Sequence, residues 1–207
     1  LSTKSESKLF SKTETVKNKK ITSEACIHHL TFNEDDYKTK KGLIKWNPSV
    51  KNEDNRQGLW DSLSQGRIDI IATDHAPHTL DEKSKNYLEC PSGGPMVQHS
   101  LNVMYEHFLN NRITIEDIVQ KMCHNPAIIF GIKKRGFIRQ NYFADLVVLD
   151  PRKSYRVNKS NILYKCGWSP FEGKKFNSVI TNTFVNGNLV YNNGIIDEKF
   201  RGEKIIF

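Results

Sequence analysis

No cysteine pair in this sequence has Cys-x-x-Cys spacing: Cys26, Cys90, Cys123 and Cys166 stand far apart. No signal-peptide pattern accompanies them, so the expectation is reduced thiols in a cytoplasmic protein. No apolar run approaches the ~20 residues of a bilayer-spanning helix, which leaves no membrane segment to explain. There is no Gly-x-Gly-x-x-Gly and no glycine loop ending in Lys-Ser/Thr, which removes the usual marks of nucleotide binding. The net charge is +8, but the lysines are scattered rather than gathered into a stripe interleaved with aromatics. A solvated lysine-rich surface accounts for them, and no nucleic-acid partner is expected. An initiator methionine is also missing. Leu1-Ser2-Thr3 reads as text entered partway through an element, which points to a fragment or an internally cleaved product.

What is present is an ordinary globular composition, 37% hydrophobic and 26% charged over 207 residues. That length suffices for one sizeable core or for a large and a small domain. The stretch Ser5 to Lys20 is polar, with Leu9, Phe10 and Val16 as its few apolar members, and is expected as a surface helix. Ile21 to Leu30 reads as a strand with its polar residues towards the C-terminal end. Asn33 to Lys41 is a charged excursion, and Gly42 to Pro48 a short extended segment, because Pro48 disfavours helical geometry at Asn47.

The spacing of Leu59, Trp60 and Leu63 predicts a helix over Glu53 to Ser64, ended by Gly66. Ile68 to Ala72 follows as a buried strand that turns polar at once with Thr73-Asp74-His75. Helix, tight turn, buried strand and polar strand end is the order of a parallel β/α unit, in which chemistry gathers at the C-terminal ends of strands. A helix from Val97 to Phe108 is expected to bury Val97, Leu101, Met104 and Phe108. Thr114 and Asp117 form a capping-box pattern that opens a short helix through Met122. Beyond Gly131 the pattern becomes β: Ala144 to Asp150, Ser178 to Val185 and Asn188 to Tyr191, the last two joined by the hairpin signal Asn186-Gly187. These changes place a boundary near residues 132 to 140, between an α/β portion over 1–137 and a small β-rich portion over 138–207. The first portion has two clear parallel-strand candidates, too few to close a barrel.

Asp74 is the leading functional candidate. A carboxylate at a strand end can bind a metal ion and accept a proton from water held beside it; the bland alternative is a capping Asp. His75 and His78 flank the same turn, and Pro77 shapes it. His78 is placed to donate to an anionic substrate or to support a metal ligand, while His75 is equally a structural hydrogen-bonding residue. His28 and His29 would point to opposite sides of a strand and are not expected to share an ion. Glu24, on the same strand, is either a buried carboxylate needing a partner or a ligand to an accessory ion, with the structural role favoured. Asn47 is a candidate substrate contact through its amide. The loop Pro91-Ser92-Gly93-Gly94-Pro95 offers N–H groups for an oxyanion or an amide ring.

Taken together, Thr22 to Leu30, Trp46-Asn47-Pro48, Ala72 to His78, Pro91 to Gly94 and His124-Asn125-Pro126-Ala127 resemble the C-terminal half of dihydroorotases, in the amidohydrolase superfamily. Their order and spacing are stronger than any single stretch. Arg135 to Ile138, Ala144 to Asp150, Cys166 to Gly173 and Phe184 to Gly187 extend the resemblance through the tail.

The resemblance implies an α/β fold: the C-terminal part of a (β/α)₈ TIM-like barrel with part of a small β-sandwich. It further implies one or two Zn²⁺ ions in the complete enzyme. By position, Asp74 would be metal ligand and general base/acid, and Asn47, His78 and the backbone near Gly93 would contact dihydroorotate or carbamoyl aspartate. Glu24 would be a weak accessory-ion ligand. The family's His-x-His pair, its bridging carboxylated lysine, two further histidines and a substrate-binding Arg have no counterpart in this chain. The implied partners are a small anionic substrate and the N-terminal half of the barrel, with a homodimer left open. The chain alone is expected to be inactive. The alternatives are another cyclic-amide hydrolase such as a hydantoinase, or a catalytically inactive assembly partner.

Overall fold

The structure is a computed structural model that describes residues 1–12 and 15–207. In chain order its helices are α1 (Lys4–Ser7), α2 (Ile27–Thr31), α3 (Tyr37–Lys40), α4 (Glu53–Ser64), α5 (Leu80–Lys83), α6 (Ser100–Leu109), α7 (Ile115–Val119) and α8 (Asn125–Ile129). Strands β1 (Glu24–Cys26) and β2 (Ile70–Ala72) precede α2 and α5. The C-terminal part adds β3 (Leu146–Asp150), β4 (Tyr155–Arg156), β5 (Lys175–Phe176), β6 (Val179–Val185), β7 (Asn188–Asn192) and β8 (Ile195–Ile196).

The two expected parallel strands pair directly, with Glu24 opposite Ile70, Ala25 opposite Ile71 and Cys26 opposite Ala72. Side chains alternate across a strand. Ala25 and Ile71 accordingly enter the core with Leu59, Trp60 and Leu63 of α4 and Val103 and Met104 of α6, while Glu24 and Cys26 share the other face. Among the described residues this parallel sheet has two strands and no closed barrel. Below the strands a buried ion pair, Lys19 Nζ to Asp69 at 2.8 Å, anchors the start of β2, and the same carboxylate accepts from the Ser23 N–H at 2.9 Å.

The remaining sheet is antiparallel in the order β3-β6-β7-β8. Asn186 and Gly187 both have positive φ, 51° and 83°, as a type I′ hairpin turn requires. Val157, Phe171 and Phe176 pack into the same core cluster as α4 and α6, so the C-terminal segment helps to bury the α/β core.

Four expectations are corrected. The strand foreseen from Ile21 to Leu30 is three residues of β1 followed by the turn of α2, because Ile27 and Leu30 lie at helical spacing and are both fully buried. Among the described residues the foreseen helix from Ser5 to Lys20 is α1 and a 3₁₀ turn at Val16–Asn18; Leu9 is 85% exposed and anchors no longer helix, and Thr13 and Glu14 lie outside the described residues. Gly42 begins not an extended segment but part of a 3₁₀ turn, Lys41–Ile44, with extended backbone resuming at Lys45. Finally, α6 starts at Ser100 rather than Val97, which stays exposed; Met104 is buried and Leu101 and Phe108 pack on the core as expected, and the Asn102 amide adds bonds to the Ser178 carbonyl at 3.1 Å and hydroxyl at 3.0 Å.

Candidate active site

Asp74 follows the C-terminal end of β2 in left-handed backbone geometry, φ 43°, which turns the chain sharply as it leaves the sheet. Its residue is exposed, and among the described residues no donor is paired with its carboxylate. Its negative charge reaches the Cys26 thiol and the His29 imidazole, since both feel it electrostatically. The structure thus brings the ends of β1 and β2 and the first turn of α2 together at one mouth.

Two further loops are stitched around that mouth. The Gly93 N–H donates to the Lys45 carbonyl at 2.9 Å, two residues before Asn47. His78 Nε2 donates to the Ser92 carbonyl at 3.0 Å, and the Trp168 indole donates to the His78 carbonyl at 2.8 Å. Asn47 is exposed beside this seam. The expectation of exposed N–H groups on the glycine loop is corrected at Gly93, whose N–H and carbonyl are both engaged within the protein. A Cβ at that position would lie 2.4 Å from the Ala76 carbonyl oxygen, with φ at +121°, so glycine is required for the close approach.

His75 is a structural anchor: its Nδ1 accepts the Met96 and Val97 N–H groups at 3.0 and 3.3 Å. That bonding leaves the proton on Nε2, and burial lowers the ring's pKa. Glu24 is exposed rather than buried, so it needs no buried partner; it sits two residues, about 6.6 Å of strand, below Cys26.

The largest departure concerns His28 and His29. On α2 they stand side by side, with ring centroids 4.2 Å apart, instead of on opposite faces. His28 stacks on Trp46 at 4.2 Å with its plane tilted by only 6°. Burial pushes the His28 pKa down to about 2 and that of His29 to about 4. Burial, reinforced by Asp74, pushes the Cys26 thiol up to about 12. Cys26 had no functional reading in the sequence; the signal was available in the Ile27/Leu30 helical spacing, which puts Cys26 immediately before a turn carrying both histidines.

A separate concavity lies away from this mouth. A cleft of about 1040 Å³ lies between α6, the antiparallel sheet and the C-terminal tail, lined in part by Leu101, Val147, Ile180, Val190 and Phe200. It includes none of Asn47, Asp74, His78 or Gly93. The Asp74 mouth is open because only two strands frame it, so chemistry rather than enclosed volume identifies it.

A parallel β/α pair thus carries an exposed carboxylate and imidazoles at its C-terminal end, and residues 8–190 match the amidohydrolase family. The chain belongs to that family. Among curated relatives, the dihydroorotase of Pyrococcus horikoshii is 36% identical over 186 residues, covering 90% of this chain and 43% of that protein. The dihydroorotase of Clostridium acetobutylicum is 33% identical over 172 residues, covering 83% of this chain and 40% of that protein. The chain therefore spans less than half the length of the curated relatives it matches. Among solved structures, the L-hydantoinase (dihydropyrimidinase) of Arthrobacter aurescens superposes with a TM-score of 0.83 at 25% identity, over 95% of this chain and 44% of that one. A D-hydantoinase from Thermus sp. gives 0.77 at 24% identity, over 90% and 42%.

Proposed function

We propose that this chain is the C-terminal portion of a dihydroorotase, an enzyme that interconverts dihydroorotate and carbamoyl aspartate in pyrimidine biosynthesis. The observation that carries the reading is the unpaired Asp74 carboxylate at the end of β2, with the Asn47, His78 and Gly93 loops joined around it. In this reading residues 1–137 form the C-terminal part of a (β/α)₈ barrel and residues 138–207 part of a β-sandwich. The N-terminal half of the barrel supplies the remaining metal ligands and the substrate-binding Arg. Reduced cysteines support a cytoplasmic setting, and a homodimer is compatible with it.

Asp74 would supply one exposed carboxylate oxygen to a zinc-type ion, whose other ligands would come from the N-terminal half of the barrel. Zinc, when bound, polarises the ring carbonyl and activates water. Asp74 takes a proton from the attacking water and returns it to the departing ring nitrogen; in ring closure the two roles exchange. His78, whose Nε2 is held by Ser92 and whose Nδ1 lies 3.9 Å from the Glu82 carboxylate, is the candidate imidazole contact to substrate. Asn47 donates and accepts through its amide, and the backbone around Gly93 packs against the ring. Glu24 is the weak candidate for an accessory ion.

The isolated chain should not open dihydroorotate, because one carboxylate cannot fix the geometry that catalysis needs to about 1 Å. Measured turnover by the purified chain would remove that claim. Joined to the N-terminal segment of the P. horikoshii relative that it does not cover, it should gain ring opening. Asp74→Asn in that assembly should lower kcat by roughly 10²–10⁴-fold; near-unchanged kcat with full metal content would overturn the assignment. The structural likeness to hydantoinases supports a second reading, hydantoin opening, which the same assembly tests by its preference between the two rings.

A further inference from the structure

We infer that Cys26, His28 and His29 form a thiolate–imidazole metal site of this chain's own, taking a borderline or soft ion such as Zn²⁺, Co²⁺ or Cd²⁺. One ligand atom from each of the three residues lies within 4.8 Å of the others. In a tetrahedral zinc site, sulfur and nitrogen ligands stand about 3.3–3.6 Å apart, given bonds near 2.3 and 2.0 Å. Bringing the three atoms onto one ion therefore takes movements of about 1 Å or less.

The independent observation is the state of the histidines. His28 is fully buried and His29 is 4% exposed, yet among the described residues both ring nitrogens of His28 and Nδ1 of His29 have no hydrogen-bond partner. An unsatisfied buried polar atom costs about 1–3 kcal/mol, and such atoms ask for an explanation. An ion held by one atom from each residue would satisfy two of the three, Nδ1 of His29 and one nitrogen of His28. The tautomer of His29 agrees: its Nε2 donates to the Pro48 carbonyl at 3.0 Å, which leaves Nδ1 as a lone-pair donor and fixes the ring by a second bond, as metal-ligating histidines usually require. Binding converts the Cys26 thiol to thiolate. Its proton passes to solvent, and a divalent ion with one thiolate and two neutral imidazoles carries a single positive charge, offset by the adjacent Asp74.

This site does not depend on the dihydroorotase reading, and the test keeps the two apart. Titrated with Co²⁺, the purified chain should bind one ion and show the near-ultraviolet charge-transfer band of a thiolate ligand. Cys26→Ser should abolish the band, His29→Ala should weaken binding by at least about tenfold, and Asp74→Asn should retain the band even though it disables the proposed hydrolase. Zinc should protect Cys26 from alkylation, mapped by mass spectrometry, while Cys90, Cys123 and Cys166 keep their reactivity. X-ray absorption of the unaltered zinc chain, which needs no variant to fold, should show one sulfur and two imidazole nitrogens. A band that survives Cys26→Ser, protection at another cysteine, or a zinc shell without sulfur would each overturn the proposal.

Discussion

Lys83 shows how a residue with no signal in the sequence acquires a defined job. Nothing in Leu80-Asp81-Glu82-Lys83 marks a buried position, yet the Lys83 side chain is buried and its ammonium donates to the carbonyls of Lys45, Pro91 and Gly93 at 3.2, 2.8 and 2.7 Å. Those carbonyls belong to the two loops that carry Asn47 and Gly93, so one cation ties both to α5. Lys83→Met would leave three acceptors without a donor and should cost roughly 2–4 kcal/mol, measured by urea unfolding. Burial pushes the amine down from 10.5 to about 8, with the Cys90 sulfur pulling it up and Lys45 pushing it further down. Between those values the unfolded chain holds a proton that the folded chain has released. Wild-type stability relative to Lys83→Met should therefore rise with pH from about 8 to 10.5, and a difference that falls over that window would contradict the assignment. The position of Asp74, by contrast, was legible: it stands past Thr73 at the C-terminal end of β2, where the apolar run turns polar.

Elements were legible where one face met one environment. Helix α4 keeps its foreseen bounds because Leu59, Trp60 and Leu63 face the core while Glu53, Asp54 and Asp61 face solvent. The turn at Asn186-Gly187 follows from local chemistry alone. The run from Ala25 to Leu30 failed because all of Ile27, His28, His29 and Leu30 are buried, and a segment covered on every side loses the periodicity that separates strand from helix. Close packing of α1 on α4 was equally hidden. A Cβ at Gly58 would come within 2.4 Å of Lys4 Cβ and Cγ, where the Ser7 and Ser62 hydroxyls also bond at 2.7 Å. Gly58→Ala gains about 1 kcal/mol of helix propensity but forces the two helices apart, at about 1–3 kcal/mol. The net effect should be destabilisation, accompanied by faster amide exchange in α1; a stabilised variant would show that α1 is not docked as described.

At the scale of the molecule, the histidines set its response to acid. Burial is the largest cause in each case: it pushes His28 to about 2, His29 and His99 to about 4 and His107 to about 3, all from 6.5. The folded protein thus keeps four rings neutral in a pH range where the unfolded chain protonates them. Protons then favour the unfolded state, so stability falls as pH drops through 6.5 and continues to fall towards 4. Each ring contributes a slope of up to about 1.4 kcal/mol per pH unit, and four together reach, within about two units, the ~5–15 kcal/mol range that holds a typical domain. The carboxylates alone would place acid unfolding lower, since their ordinary values lie near 4. Circular dichroism against urea at a series of pH values should show the midpoint dropping steeply between pH 6.5 and 5. His107→Gln should flatten that slope by about one proton, because His107 packs on Trp60 at 4.7 Å rather than in the cluster beside Cys26. A midpoint that stays level down to pH 5 would mean that these rings are hydrated in solution and that the packing of α2 and α6 around them is looser than described.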